Sequence, residues 1–345
     1  MAADQQTQAA PAAVFGGLGP AEYERLTREL TGYCYRMLGS PFDAEDAVQD
    51  TMMRAWRDLD RFEGRSSLRT WLYRIATNVC IDMLRGRSRR GVPMDLQPPS
   101  APVESQIGSP LGEPSWVLPI PDAWIQADGA DPAQRVVLRE SVRLAFVAAI
   151  QRLTPRQRAV LILRDVLQYS AAESAGLLGS TVASANSALQ RARVALSVPE
   201  GTSDAAGPPG TPAGTAGPAG DAAPDPGHAL LEEYVAAFES YDMSRLTAVL
   251  RSDVVMSMPP LAIWLRGPDH IAQWLLGPGT ECRGSRLLAT AANGCAAYAQ
   301  YRRDPGGGYA PWAIQVVETD GDRISGLHCY VIPALFAAFG FPSAL

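Results

Sequence analysis

The chain has 345 residues, 47% of them hydrophobic, and a formal net charge of −6. This length exceeds what one hydrophobic core usually supports, so two or three domains are expected. A membrane span is disfavoured because no apolar run approaches ~20 residues, and a signal peptide because the N-terminus lacks a basic start and an apolar core. A disulfide framework or zinc site is disfavoured because the five cysteines are scattered without C-x-x-C spacing.

The charge is distributed unevenly along the chain. Residues 135–196 carry nine arginines against three acids, residues 21–91 thirteen arginines against eleven acids, and residues 92–134 six acids and no base. Two basic segments joined by an acidic one favour two DNA-binding modules. Together these features predict a soluble, cytoplasmic, DNA-binding protein with no membrane partner, metal or cofactor.

A disordered N-terminus is predicted at residues 1–20, followed by a helical domain at 21–91. Within this domain a helix begins near Asp43, and its small apolar side chains recur at core spacing. Its outer face carries Asp46, Gln49, Asp50 and Met53. An acidic face is poorly explained by DNA contact, so it favours docking to a basic protein partner. The alternative is an ordinary solvated helix face.

Residues 62–78 interleave aromatic side chains with arginines. Arginines can hold phosphates while an aromatic side chain replaces base stacking and a polar loop captures a flipped base. Unstacking a step costs a few kcal/mol, and stacking on protein returns roughly 1–3 kcal/mol per base, so DNA melting without ATP is feasible. The alternative is that Trp71 and Tyr73 belong to the core, and we expect one of the two to be buried.

An acidic, Pro-rich linker is predicted at residues 92–134, followed by a second helical domain at 135–196. Ser170 and Glu173 fit a capping box that opens the first helix of a helix-turn-helix, and Gly179 lies at its turn. The second helix exposes groups suited to reading base edges and phosphates. They belong to Ser184, Asn186, Ser187, Gln190, Arg191 and Arg193. The alternative is a helical hairpin with a solvated polar face.

The remainder of the chain changes composition twice. Residues 197–227 are nearly all Pro, Gly, Ala, Ser, Thr and Asp, which predicts a flexible linker. Residues 228–335 read as two helices, a strand, a helix and a meander of strands, which indicates an α+β domain. A short tail is predicted at 336–345.

At this point the chain resembles a known family. Asp43–Trp56 and Phe62–Arg85 resemble regions 2.2 to 2.4 of the sigma-70 family, extracytoplasmic-function (ECF) type, and Leu153–Arg193 resembles region 4. The Trp116–Trp124 motif and the C-terminal extension are similar to the SigG-like subfamily, which ends in a SnoaL-like domain. The resemblance implies a multidomain fold: two all-α helical domains, region 2 and the helix-turn-helix region 4, plus an α+β SnoaL/NTF2-like domain.

The resemblance also implies partners and site residues. Asp46, Gln49 and Asp50 would bind the beta-prime clamp of core RNA polymerase. The beta flap of the polymerase would be a second contact of this chain. The −35 promoter element would be read by Asn186, Ser187, Gln190 and Arg191. Candidates for contact with the melted −10 element and its flanks are Phe62, Arg65, Ser66, Ser67, Trp71, Arg74, Asn78, Asp82 and Arg85.

A SnoaL-like fold usually encloses an apolar pocket, which suggests a site for an unknown small ligand. Its candidate lining residues are Met256, Met258, Trp264, His270, Trp274, Trp312 and His328. The two histidines among them are the acid–base candidates. We nevertheless expect a regulator without catalytic residues, because fold alone does not give an activity. A core without any ligand is the alternative.

The sequence as a whole predicts an alternative sigma factor that binds core polymerase, recognises the −35 and −10 promoter elements and melts DNA. Two rivals stay open. One is a one-component helix-turn-helix regulator with a ligand-sensing domain, and the other is an enzyme whose catalytic domain carries a DNA-binding appendage. Neither rival needs the melting segment at residues 62–78.

Overall fold

The protein is described from a computed structural model, which covers residues 19–64, 66–103, 109–111, 116–125, 132–197 and 226–345. The chain forms two compact units. The first comprises Met1–Gly91, Gly112–Ser197 and Ala291–Gly294, and the second comprises Val92–Leu111, Val198–Thr290 and Cys295–Leu345. Over the described ranges, no helix combines the length and apolarity needed to cross a membrane.

The first unit is helical. Its helices are α1 (Pro20–Leu38), α2 (Pro41–Arg57), α3 (Leu68–Leu84), α4 (Pro132–Glu140), α5 (Leu144–Gln151), α6 (Pro155–Leu161), α7 (Ala171–Leu177) and α8 (Val182–Ser197). Their boundaries follow local capping rules. The Ser40 hydroxyl accepts a hydrogen bond from the amide of Asp43 at the start of α2, and Gly39, at φ 73°, ends α1.

Helices α1, α2 and α3 pack around one core. Their buried apolar residues recur at steps of three and four, as in Leu30, Tyr33, Cys34 and Met37 of α1. Inside this core the hydroxyls of Tyr33 and Thr77 share a hydrogen bond of 2.7 Å, which joins α1 to α3.

Helices α5 to α8 form the second helical layer of this unit. A capping box between Thr154 and Gln157 opens α6, and a π-helical turn, Ile162–Val166, follows it. The short helix α7 leads into α8, whose buried face consists of Ala185, Leu189 and Ala192. The alanines at two of these positions allow the helices to pack closely.

The second unit is an α+β domain. Its helices are α9 (Pro226–Ser240), α10 (Met243–Ala248), α11 (Pro268–Leu276) and α12 (Leu335–Ala338). Its strands are β1 (Leu250–Ser257), β2 (Trp264–Arg266), β3 (Arg286–Ala292), β4 (Cys295–Arg303), β5 (Tyr309–Asp320) and β6 (Arg323–Tyr330). They form one sheet in the order β2-β1-β6-β5-β4-β3. Only the β1–β6 pair is parallel among the pairs with an assigned register.

One face of this sheet supports the domain's core. Side chains from α9, α10 and α11 pack with alternate residues of the strands, such as Val254 and Met256 of β1 and Leu327 of β6. The α+β architecture predicted from the alternation of helical and strand patterns is therefore confirmed, as is the all-α character of the two segments that precede it.

Candidate nucleic-acid interface and partner-binding surface

Helix α2 presents the acidic surface that the sequence predicted. Asp46 and Gln49 are exposed, and Asp50 is partly exposed and forms an ion pair of 2.8 Å with Arg54. Met53 and Trp56 extend the same helix face and expose 60% and 62% of their surface. Methionine and tryptophan are enriched at protein interfaces. We call Asp46, Gln49, Asp50, Met53 and Trp56 the α2 surface.

Trp56 was missed as a candidate in the sequence. It lies three residues after Met53 and seven after Gln49, so helical periodicity could have placed it on the α2 surface. An apolar residue of this size at a solvent-facing position of an amphipathic helix is the signal that identifies it.

The segment before α3 brings two aromatic candidates together. The rings of Phe62 and Trp71 lie 5.0 Å apart between centroids, and both side chains are partly exposed. Ser66 and Ser67 are exposed beside them, and the Ser67 hydroxyl caps α3 by accepting from the amide of Thr70. Arg65 lies outside the described residues. The arrangement offers a partly exposed aromatic pair next to hydroxyl groups, which can stack and hold a base.

Along α3 the remaining candidates form one exposed row, which we call the α3 stripe. Arg74, Asn78, Asp82 and Arg85 are exposed and recur at steps of three and four. Asp82 pairs with Arg85 at 3.1 Å and also faces Arg54 at 3.7 Å. Tyr73 is fully buried whereas Trp71 is not, as expected for one of the two.

The helix-turn-helix is formed by α7 and α8. Ser170 and Glu173 make the predicted capping box: the Ser170 amide donates to the Glu173 carboxylate at 2.8 Å, and the Glu173 amide donates to the Ser170 hydroxyl at 3.2 Å. These bonds hold the pKa of the Glu173 carboxyl below its ordinary value. Gly179 adopts a left-handed conformation, φ 56°, at the turn.

Helix α8 presents a continuous polar face opposite its buried one. The exposed residues include Ser184, Asn186, Ser187, Gln190, Arg191 and Arg193. Arg193 differs from the others because its guanidinium makes two hydrogen bonds, of 3.0 Å and 2.6 Å, to the Asp165 carboxylate. Hydroxyl, amide and guanidinium groups on one exposed helix face can pair with base edges in a major groove.

The seven pocket candidates of the second unit do not share one surface. Met256, Met258 and Trp274 are buried in the core, and Trp264 is buried with its indole N–H donating to the Gln97 carbonyl at 2.7 Å. His270 is exposed. Trp312 is partly exposed beneath the guanidinium of Arg302, 3.9 Å from the ring centroid.

His328 lies on the opposite face of the sheet from Met256. It is the register partner of Ser257, and the Ser257 hydroxyl and His328 Nδ1 are hydrogen-bonded at 2.8 Å. Its Nε2 is 3.6 Å from the Glu318 carboxylate. Since Ser257 is only 1% exposed, this arrangement has no accessible nucleophile.

A buried polar row crosses the helix-covered face and was not anticipated from the sequence. The Tyr234 hydroxyl donates to Gln315 at 2.6 Å, Gln315 donates to Gln300 at 2.8 Å, and Gln300 donates to Ser285 at 3.0 Å. Burial raises the pKa of Tyr234, which keeps the phenol protonated. Glutamines within otherwise apolar strands were the signal in the sequence that could have indicated this row.

Over the described ranges, no cluster of three or more His, Cys, Asp or Glu could hold a metal ion.

Family models match two parts of the chain: Sigma-70 region 2 at residues 23–90 and Sigma-70 region 4 at residues 143–196. Among curated proteins, the ECF RNA polymerase sigma factor SigG of Mycobacterium tuberculosis is 43% identical over 94% of this chain and 84% of its own length. SigJ of the same species is 28% identical over 74% of this chain and 72% of its own length.

Among solved structures, the crystal structure of M. tuberculosis SigJ matches with a TM-score of 0.57 and 22% identity. The match covers 93% of this chain and 99% of that one, so the likeness of fold extends through both units. The helical candidates for DNA and polymerase contact lie within the two matched regions, and the α+β domain lies outside them.

Proposed function

Because the chain belongs to the ECF sigma factors of RNA polymerase, we propose that it directs core polymerase to promoters that carry a −35 and a −10 element. The observation that carries this proposal is the pairing of two different exposed surfaces on one helical unit. The α2 surface is acidic and apolar, whereas α8 and the α3 stripe offer polar and cationic groups. The first suits a protein and the second suits DNA.

We assign the α2 surface to the clamp of core polymerase. Its exposed Met53 and Trp56 supply apolar contact area, and Asp46 and Gln49 supply specificity. Region 4 would contact the beta flap while its helix α8 lies in the major groove of the −35 element. The polar face of α8 is long enough for this, since 16 residues span about 24 Å.

We assign opening of the −10 element to the Phe62–Trp71 aromatic pair and the α3 stripe. A partly exposed ring pair can replace a base in the stack, and Arg74 and Asn78 lie on the same helix to hold the phosphate and the base edge. This function distinguishes a sigma factor from a one-component regulator, which binds closed duplex DNA.

The C-terminal α+β domain is assigned a regulatory role. In the residues described, its candidate pocket side chains are distributed between the core, the opposite sheet face and the surface. This distribution favours a domain that controls the sigma regions rather than one that turns over a substrate.

Transcription in vitro with purified core polymerase on genomic fragments tests the proposal. We expect discrete start sites that depend on the full-length protein and that share two spaced upstream elements. Sequence-specific DNA binding without any polymerase-dependent start site would favour the one-component regulator instead. Replacing Trp71 with alanine should retain promoter binding and reduce open-complex formation, measured by permanganate reactivity of unpaired thymines.

A further inference from the structure

The segment that follows α3 is rich in arginine and contains no acid. It runs from Arg85 to Arg90, and we call it the arginine loop. The Arg90 side chain is buried, and its Nη1 donates to the Trp116 carbonyl at 2.9 Å. The next residue, Gly91, forms an isolated parallel β-bridge with Trp116. The arginine loop is therefore held in place at one end, while its other residues are exposed to solvent.

A cavity of about 140 Å³ lies between the arginine loop, the end of α1 and the residues that open α6. Its buried lining includes Arg90 and Arg158, and its exposed lining includes Arg87 and Arg89. Among the described lining residues, Asp43 supplies the one carboxylate. Four guanidinium groups and one carboxylate give this space, which we call the arginine cavity, a formal charge of +3.

The carboxylate of Asp43 is already engaged by two of these cations. Arg87 donates to its Oδ2 at 2.8 Å, and Arg90 donates to the same oxygen at 2.7 Å. Arg89 and Arg158 form no ion pair within the part of the chain that the structure describes. The arginine cavity thus contains two cations whose charge no protein group neutralises.

Arg158 is the more unusual of these two cations because it is only 4% exposed. Its hydrogen bonds go to backbone carbonyls and to the Gln151 side chain, so its N–H groups are satisfied while its charge is not balanced. Burial lowers its pKa to about 10, and the positive charge of Arg89 acts in the same direction. By contrast, Arg69 of α3 pairs with Glu29 at 2.7 Å. A buried cation without such a partner is stabilised by a bound anion.

Phosphate is the anion that suits this chemistry. Guanidinium groups bind phosphate through paired, charge-assisted hydrogen bonds. Within the described ranges Arg89 makes no hydrogen bond to protein, so its N–H donors are available, and the exposed Ser88 beside it adds a hydroxyl to the lining. A terminal phosphate can enter a space between packed helices. A phosphate of the DNA backbone carries a sugar on each side and is confined to the protein surface.

We propose that the arginine cavity binds the terminal phosphate of a small phosphorylated molecule. Arg89 supplies hydrogen bonds, and Arg158 supplies charge from the buried side. The lining combines the end of region 2 with the start of region 4, so a bound phosphate also stabilises the contact between them. This site lies outside the surfaces assigned to polymerase and promoter, and its occupation requires neither of them.

Two variants should change phosphate binding in opposite directions. Arg89→Ser removes the exposed, unpaired guanidinium. Asp43→Asn removes the negative charge of the lining but keeps an oxygen that can accept hydrogen bonds from Arg87 and Arg90. The matched control is Arg57→Ser, since Arg57 is an exposed arginine at the end of α2 that does not line the cavity. Circular dichroism verifies that each variant is folded.

The first measurement is isothermal titration calorimetry of the full-length protein with inorganic pyrophosphate at constant ionic strength. We expect saturable binding that is about tenfold weaker in Arg89→Ser, because a charge-assisted hydrogen bond is lost. We expect about tenfold tighter binding in Asp43→Asn, because a like charge no longer faces the ligand. Arg57→Ser should bind as wild type does. Absence of saturable binding to the wild-type protein, or equal losses in Arg89→Ser and Arg57→Ser, would overturn the proposal.

The second measurement distinguishes a terminal phosphate from the DNA backbone. The salt dependence of binding to a duplex fragment is compared between the wild-type protein and Arg89→Ser. We expect equal slopes. If pyrophosphate does not bind and Arg89→Ser lowers the slope by about one counterion, the arginine loop is a DNA-backbone contact and the proposal is wrong. Transcription is not measured in either experiment, so a failure of the sigma assignment would leave both results interpretable.

Discussion

Helices α2 and α8 are built alike and yet present different chemistry to solvent. Each buries small residues on one face: Ala44, Ala47 and Ala55 in α2, and Ala185 and Ala192 in α8. Their exposed faces differ, because α2 offers carboxylates with Met53 and Trp56, whereas α8 offers hydroxyl, amide and guanidinium groups. The buried faces explain how the helices pack, and the exposed faces indicate what they bind. Four predictions test this contrast and the local structure behind it.

Reversing one charge on the α2 surface should have the largest effect. We expect Asp46→Arg to weaken binding of core polymerase at least about a hundredfold, because a like charge would then face a basic partner. Surface plasmon resonance with immobilised core enzyme measures it, and circular dichroism checks the fold. The matched control is Glu24→Arg, an exposed acid on α1. Equal affinity for Asp46→Arg and the control would place the docking surface elsewhere.

On α8, removing a base-reading group should change specificity more than affinity. We expect Asn186→Ala or Arg191→Ala to lose about 1–3 kcal/mol of discrimination at the upstream promoter element. Selection from a randomised −35 library measures the preference. Arg193→Ala is the comparison, since Arg193 is paired with Asp165 and should alter the preference less. An unaltered preference with uniformly weaker binding would mean that these residues contact phosphates only.

A smaller effect is expected at the cap that opens α7, the helix before α8. Ser170→Ala should reduce the free energy of unfolding by about 1 kcal/mol, because the first turn of α7 loses its capping acceptor. Chemical denaturation measures it, with the exposed Ser197→Ala as control. A stability loss equal to that of the control would show that the Ser170 cap contributes nothing.

The same cap gives a pH dependence. Since the pKa of Glu173 is lowered from its ordinary 4.5, its stabilising contribution is fully present above that value and is lost as pH falls through the lower, folded-state pKa. The exposed position of Glu173 keeps this effect small. The wild-type protein should therefore lose more stability between pH 5 and about pH 3 than Glu173→Gln does. Parallel stability curves for the two proteins would contradict this assignment.

Local features of the fold were predictable from the sequence because they depend on neighbouring residues. The Ser170–Glu173 capping box, the buried stripe of α8 and the acidic face of α2 follow from spacings of three and four residues. The succession of helices and strands along the C-terminal domain followed similarly from period-two patterns and turn residues, except that the short strand β2 was not predicted.

Features that depend on distant pairings were not predictable. The bond from Trp264 to Gln97, the ion pair of Arg193 with Asp165, and the opposite sheet faces of Met256 and His328 each depend on register or on long-range packing. The sequence identifies Trp264, Arg193, Met256 and His328 as candidates by residue type alone. It does not show that a tryptophan N–H or a guanidinium already has an intramolecular partner.

The sequence distance within the Gln97–Trp264 contact has a consequence for how the protein is made. The Trp264 indole N–H donates to the Gln97 carbonyl at 2.7 Å, and the Ser100 amide donates to the Trp264 carbonyl at 2.8 Å. The two partners of the first bond are 167 residues apart in the chain. At about 5–20 residues per second, a ribosome needs about 8–33 s for that stretch. During this interval the nascent segment at residues 97–100 has its complete sequence but not the strand residue that its backbone contacts.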